Sequence, residues 1–137
     1  MLADSLEEGR CREIRDFLTE QGTSYFWDFY EDEVKDSQRD KAQTWKWIQH
    51  LANVPKIINK DKFRHLEDSI WELKPTLQIR YPGFFYGKVE EVWQRNYFII
   101  THGFKKQTQE TPRREIERAI QSLRRFMSNQ EEGSNEC

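Results

Sequence analysis

The sequence predicts a single α+β domain in which helical segments flank a group of strands. Residues 37–54 and 111–127 place apolar side chains at helical spacing, whereas 63–74, 77–86 and 97–104 are rich in aromatic and β-branched residues. At 137 residues, the chain is long enough for one modest hydrophobic core.

The two N-terminal helices are predicted from their starting residues. Ser37 followed by Asp40 resembles a capping pair, and it opens a helix that ends before Pro55. Thr23 or Ser24 can cap a shorter helix before it. The side chains expected to be buried are Phe26, Phe29 and Tyr30 in the short helix and Ala42, Trp45, Ile48, Leu51 and Ala52 in the long one.

The two chain ends and residues 11–18 carry weaker patterns. Residues 1–10 are expected to be a flexible N-terminus, and the polar segment 128–137 a disordered tail. Within 11–18, Ile14, Phe17 and Leu18 fit a helical stripe, but Ile14, Asp16 and Leu18 fit the alternation of a strand. Periodicity alone slightly favours a helix there.

The segment from Asn96 to Met127 joins a buried strand to a basic helix. Residues 97–101 are typical of a strand buried on both faces. His102-Gly103 then lets the backbone turn, Lys105-Lys106 follow at the strand's exit, and Thr111-Pro112 can start a helix. One face of that helix is apolar, with Ile116, Ala119, Ile120, Leu123 and Phe126 or Met127, and the other carries Arg113, Arg114, Arg118, Arg124 and Arg125.

Pro82-Gly83 and the segment that follows them predict an irregular part of the sheet. Proline in a strand is typical of a bulge or an edge position, so the run 77–86 is expected to be interrupted there. Residues 87–95 form a long connection whose apolar side chains should fold back on the body of the domain.

The net charge of −2 conceals an uneven distribution of charge. Residues 1–40 hold 12 acidic against 5 basic side chains, whereas 95–127 hold 8 basic against 3 acidic ones. The basic half suggests a surface for polyanions. We find no signal peptide and no apolar run near the roughly 20 residues that span a bilayer. Two distant cysteines form no disulfide framework, which favours a cytoplasmic protein.

One set of motifs is similar to a known family. It comprises Trp71-Glu72-Leu73-Lys74, Arg80, His102 to Lys106, Thr108, Thr111-Pro112 and Glu115 to Ala119. In this pattern the chain resembles the RelE/ParE toxin superfamily, and within it the HigB-like branch of phage and bacterial toxin–antitoxin modules.

The resemblance implies the architecture of residues 11–127. It places a first strand at 11–18 and gives an antiparallel sheet of about four strands, with two N-terminal helices packed on it and a C-terminal amphipathic helix. Three features depart from the family pattern: Lys74 stands where an arginine is usual, Pro82-Gly83 interrupts a strand, and the connection 87–95 is longer.

The resemblance implies a toxin that cleaves mRNA on the ribosome without a cofactor or metal. It also implies a helix-turn-helix antitoxin that inhibits this toxin. Metal-free cleavage needs a base for the ribose 2′-OH, cations for the phosphorane and an acid for the leaving oxygen. The expected catalytic residues are Arg80, His102, Lys105 and Lys106, and the expected RNA contacts are Lys74, Arg113, Arg114 and Arg118.

Other interpretations of the same residues stay open. A toxin of this fold can instead poison DNA gyrase without being an enzyme, and a nucleic-acid or protein-binding module without toxicity is a third class. Lys105-Lys106 also fit a solvated turn, and His102 fits a structural role better than a catalytic one. The helix arginines fit a solvent-facing surface, and the five tryptophans fit the core.

Overall fold

The computed structural model describes residues 1–107 and 110–135, with side chains for 1–107 and 110–130. The strands are β1 (Ala3–Glu8), β2 (Glu13–Phe17), β3 (Phe63–Glu67), β4 (Ile70–Leu73), β5 (Ile79–Tyr86), β6 (Tyr97–Ile100) and β7 (Phe104–Lys105). The helices are α1 (Tyr25–Phe29), continued by a π-helical turn (Tyr30–Val34), α2 (Gln38–Asn53), a 3-10 turn (Val92–Gln94) and α3 (Arg113–Asn135).

The strands form one mixed sheet in the order β1-β2-β6-β5-β4-β3, and β7 pairs with β5. β2 and β6 are parallel and the other pairs antiparallel. The α+β class and the central position of 97–100 are confirmed. The prediction of about four antiparallel strands is wrong. The sequence pattern predicts neither β1 nor β7. The run 63–74, predicted as one strand, is a hairpin of two strands that turns at Asp68, where φ is 51°.

Helices cover both faces of the sheet. The capped starts of α1 and α2 are confirmed, since the hydroxyls of Ser24 and Ser37 accept from the N–H groups of Trp27 and Asp40. Both helices pack on the face formed by Phe98, Ile100 and their neighbours, which we call the α2 face. α3 packs on the other face, the α3 face, formed by Phe84, Ile99 and their neighbours. Successive residues alternate between these faces, as strand geometry requires.

β5 is continuous through Pro82-Gly83, so the expected interruption is wrong. The strand lies inside the sheet between β4 and β6. A Cβ atom at Gly83 would lie 2.5 Å from the carbonyl oxygen of Ile99 and 2.6 Å from the Phe98 ring, so glycine permits the close approach of β6. The backbone and hydroxyl of Thr101 both donate to the Pro82 carbonyl.

Both predicted flexible ends contain regular structure. Residues 3–8 of the expected flexible N-terminus pair with β2, and α3 continues through Asn135 into the expected tail. Residues 11–18 contain β2, as the resemblance implies and contrary to the helical periodicity. Among the helices that the structure describes, none has the length and apolar character needed to cross a membrane.

Candidate active site

Four basic side chains gather around one buried carboxylate on the α3 face. They are Arg64, Lys74, Arg80 and Lys106, and together with Glu72 we call them the cation cluster. Glu72 is fully buried, while Lys74, Arg80 and Lys106 are only 9, 6 and 6% exposed. Arg64 is the most accessible member, with 34% of its side chain exposed.

Strand register brings these residues together. Arg64 on β3 is directly opposite Glu72 on β4. Lys74 follows Glu72 by two residues and therefore lies on the same side of the sheet. Arg80 shares the α3 face with Phe84, four residues further along β5. Lys106 extends the pairing of β7, because its backbone N–H donates to the Gln78 carbonyl over 2.7 Å.

Glu72 is the centre of the cluster's polar contacts. Its Oε1 lies 3.6 Å from Nε of Arg80 and 3.7 Å from Nε of Arg64. Its Oε2 accepts a 2.7 Å hydrogen bond from the hydroxyl of Thr111, just before α3, and that hydroxyl accepts from Arg64 Nη2 over 3.3 Å. Arg80 is held by its Nη1, which donates to the carbonyls of Thr76 and Ile79. The start of α3 thus adjoins the cluster and adds positive potential to it.

The cluster holds more positive charge than its carboxylate neutralises. Burial, reinforced by Arg64 and Arg80, lowers the pKa of Lys74. Burial, reinforced chiefly by Arg80, likewise lowers the pKa of Lys106. Glu72 opposes both shifts, as do Asp61 for Lys74 and Glu110 for Lys106, but the net direction is downward. A lysine in these surroundings is easier to deprotonate and can act as a base.

Three buried polar atoms of the cluster lack a hydrogen-bond partner of good geometry. They are Nε of Arg64, Nε of Arg80 and Oε1 of Glu72, the same atoms that lie 3.6–3.7 Å apart. Buried polar groups in folded proteins are normally paired, and exceptions concentrate at functional sites. The two guanidinium groups therefore face Glu72 through ion pairs that lack well-formed hydrogen bonds.

The structure separates the two lysines that are adjacent in the sequence. Lys105 lies on β7 with its ammonium 3.0 Å from Glu33 of the π-helical turn, which belongs to the layer on the α2 face. Lys106 points to the cation cluster, since neighbouring residues of an extended segment face opposite sides. Of the pair, only Lys106 lies near Arg80 and Glu72.

His102 lies outside the cation cluster and is fully buried. Its Nδ1 is 2.9 Å from the Thr101 hydroxyl and its Nε2 3.4 Å from Oε1 of Glu115 on α3. Burial lowers the pKa of His102, and the contact with His102 lowers the pKa of Glu115. The contact between the His102 ring and Glu115 attaches the start of α3 to the end of β6. Gly103 next to it is needed for packing, because a Cβ atom there would lie 2.3 Å from the Phe29 ring.

The arginines of α3 are set apart from the cluster. Arg113 pairs with Glu67 and Glu117, at 2.5 and 3.3 Å. Arg118 lies over the Tyr25 ring, and its Nη1 is 4.0 Å from Glu115. Arg114 is exposed on the same helix. Thr108 of the family motif lies outside the described residues.

Arg64 and Glu72 are the cluster members that the sequence pattern does not assign to the site. Glu72 belongs to the motif Trp71 to Lys74, but the sequence pattern assigns it no role. Arg64 lies in the run 63–74, which the pattern predicts as a single strand. The signal that identifies them is Asp68-Ser69, a turn-forming pair that divides 63–74 into two strands. Within residues 1–107 and 110–135, no group of three or more His, Cys, Asp or Glu side chains is arranged to hold a metal ion.

The model of one protein family matches residues 34–124, from the π-helical turn to the middle of α3. That family is described as Phage derived protein Gp49-like (DUF891). The chain belongs to this family. It is a family of the RelE toxin type, which confirms the resemblance at that level; the match does not specify the HigB-like branch. A comparison with curated proteins finds no match.

Proposed function

We propose that this Gp49-like protein is the toxin of a toxin–antitoxin pair and that it cleaves mRNA at the cation cluster. The surplus of buried positive charge around Glu72 carries the proposal. Buried charges that serve only stability are normally matched by a partner. Here four basic side chains share one central carboxylate, and three of them stay cationic when Lys106 is neutral, which is suited to a site completed by phosphate.

We propose one role for each basic group, with the two lysines, whose pKa values are both lowered, serving as base and acid. Neutral Lys106 takes the proton of the ribose 2′-OH, and the 2′-oxygen attacks the adjacent phosphorus. Arg80 and Arg64 stabilise the charge of the phosphorane, for which planar guanidinium groups are well suited. Protonated Lys74 gives its proton to the 5′-oxygen as the bond from that oxygen to phosphorus breaks. The products are a 2′,3′-cyclic phosphate and a 5′-hydroxyl.

Arg80 and Lys106 are retained from the sequence-based catalytic set, and Lys74 moves from RNA contact to proton donor. Lys105 and His102 have their contacts elsewhere, with Glu33 and Glu115. We propose that His102 acts as a positioning residue that fixes the start of α3 beside the cluster. We propose that the arginines at 113, 114 and 118 contact RNA beyond the scissile phosphate.

The same charge surplus supports a proposal about the partner. A helix-turn-helix antitoxin can neutralise the toxin by placing an acidic segment over the cluster, because opposite charge favours such a complex. We expect the chain to arrest growth when expressed alone and to be harmless when expressed with that antitoxin. Normal growth at high expression without an antitoxin would contradict a toxin.

Primer extension on a translated message tests the activity. The protein should produce new RNA ends that depend on ribosomes. Arg80→Ala should reduce the cleavage rate by roughly two to three orders of magnitude, since the loss of one preorganised transition-state charge typically costs about 3–4 kcal/mol. Arg124→Ala, which removes an exposed arginine of α3, should cleave at close to the wild-type rate.

Two results would overturn the proposal. Wild-type activity in both Arg80→Ala and Lys106→Ala would remove the cation cluster from catalysis. Arrest of replication by the wild-type protein, without cleavage of any message on ribosomes, would favour a poison of DNA gyrase instead.

A further inference from the structure

A second site lies at the free edge of the sheet, where β3 meets the loop of residues 55–62. It is an open cavity of about 430 Å³, and Phe63, Trp71 and Trp93 are among its lining residues. Three basic residues line it as well, namely Lys56, Lys60 and Arg64. The volume falls within the range of roughly 300–1,000 Å³ that is typical of small-ligand pockets.

The aromatic walls form a fixed unit. The Trp71 ring is stacked on Phe63, with centroids 5.3 Å apart and planes inclined by 13°. The Trp93 ring meets Trp71 edge-on at 5.7 Å. The His65 ring lies 5.0 Å from Trp71 and also lines the cavity. Phe63 is buried and holds Trp71 in place, so the half-buried rings of Trp71 and Trp93 are the surface on which a planar ligand can stack at small entropic cost.

Arg64 lies at the boundary between the cavity and the cation cluster. It is one of the residues lining the cavity, and its guanidinium contacts Glu72 and Thr111 in the cluster. Phe63 and Trp71 lie on the α2 face and the cluster lies on the α3 face, but β3 is the free edge of the sheet. A chain that passes around this edge at Arg64 can therefore place a phosphate in the cluster and a neighbouring group in the cavity. Lys56 and Lys60 add positive charge beside the rings, which favours an anionic ligand over a neutral or basic peptide.

We propose that this cavity binds a nucleobase of the RNA, next to the phosphate held in the cation cluster. Single-stranded RNA is commonly recognised by stacking its bases on aromatic side chains and arginine planes while cations contact its phosphates. The cavity has both components. The inference that the cavity belongs to a cleavage site rests on the proposed function. Binding of a nucleotide in the cavity does not require cleavage.

Nuclear magnetic resonance of the ¹⁵N-labelled full chain tests this site directly. The probes are the four ribonucleoside 5′-monophosphates, with ribose 5-phosphate as the ligand that lacks a base. Stacking should shift the indole N–H signals of Trp71 and Trp93 in a saturable way and leave that of Trp27 unchanged. Trp71→Phe and Trp93→Phe assign the signals, and ribose 5-phosphate should not move them.

Matched variants at exposed apolar positions separate binding from folding. Ile58 lines the cavity and is 83% exposed, so Ile58→Glu adds a carboxylate at its mouth without disturbing the core. It should weaken monophosphate binding about tenfold, because the new carboxylate repels the phosphate of the ligand. Val89 is also exposed but is not among the lining residues, so Val89→Glu should bind as the wild type does. Thermal unfolding verifies that both variants fold.

The inference and the proposed function can fail separately. Absence of saturable indole shifts with all four monophosphates, or equal binding by Ile58→Glu and Val89→Glu, would overturn the nucleobase site even if Arg80-dependent cleavage is found. Loss of antitoxin binding in Ile58→Glu without any response to monophosphates would identify the cavity as a peptide groove and also overturn it. Base-dependent shifts in a protein that cleaves no RNA would support the cavity and contradict the proposed nuclease.

Discussion

The cation cluster and the arginines of α3 are both rich in positive charge, but they differ in how many acidic partners balance that charge. On α3, Arg113 contacts Glu67 and Glu117, and Arg125 contacts Glu20, all at accessible positions. In the cluster, four cations, three of them buried, share Glu72. Accessible pairs of this kind contribute little to stability and need no ligand. A buried surplus of charge is destabilising unless an anion joins it, so under the proposed function the scissile phosphate would bind at the cluster.

The largest effect on stability should come from Glu72→Gln, which keeps the shape of the side chain but removes the central negative charge. We expect a loss of about 3 kcal/mol in the free energy of unfolding, because breaking a buried pair leaves its partner charges uncompensated. Inorganic phosphate should restore part of that loss. Denaturant unfolding with and without phosphate measures both quantities.

Glu67→Gln is the matched control, because Glu67 pairs with Arg113 at the surface. It should leave stability unchanged and show no extra response to phosphate. Equal losses in the two variants would mean that the cluster is an ordinary ion-pair network.

The pH dependence of cleavage should identify the base. Burial and the nearby arginines lower the pKa of Lys106, so its neutral form increases as pH rises toward that pKa. Below it, the cleavage rate should rise about tenfold per pH unit. Lys106→Arg cannot lose its proton in this range and should abolish that rise, whereas Lys105→Arg should retain the wild-type profile. An unchanged profile in Lys106→Arg would exclude Lys106 as the base.

Neutralising one cluster cation should stabilise the protein while it impairs function. Lys74→Met removes a buried charge, and we expect a gain of about 1 kcal/mol in the free energy of unfolding. Lys74 has a lower pKa in the folded protein than the usual 10.5, so the unfolded chain binds more protons between the two values. Wild-type stability should therefore rise with pH in that window, and the variant should lack this rise. Lys41→Met is the control, because Lys41 is exposed on α2. A Lys74→Met variant that is less stable than the wild type would contradict a surplus of buried positive charge.

The sequence predicted most of the elements and three of the cluster's cations, but not their arrangement. α1 and α2 were predictable because Ser24 and Ser37 cap them locally. β1 was not, because an acidic segment without alternation becomes a strand only through its pairing with β2. β5 remains a strand although Pro82 and Gly83 have low strand propensity. The reason is again a distant contact, since β6 approaches so closely that glycine is suitable at position 83.

The candidate site shows the same division between local and distant information. Arg80 and Lys106 were recognisable as residue types suited to phosphate chemistry. Arg64 and Glu72 required the register of β3 and β4, which depends on locating the turn at Asp68. The burial of His102 depends on the position of α3, and the sequence pattern of the strand around His102 does not predict that position.

The salt dependence of RNA binding tests the central comparison most directly. Binding of a short message with a 2′-deoxy residue at the cleavage position, which prevents attack, is measured over a series of salt concentrations. Removing one cation that binds a phosphate of a single strand should reduce the slope of log K against log salt by about 0.7. We predict that reduction for Arg64→Gln and for Arg80→Gln, the two arginines assigned to the phosphate. We predict wild-type slopes for Arg124→Gln and Arg125→Gln, which lie on α3 beyond its proposed RNA contacts. Unchanged slopes in the two cluster variants, with reduced slopes in the two α3 variants, would show that α3 rather than the cation cluster holds the phosphates.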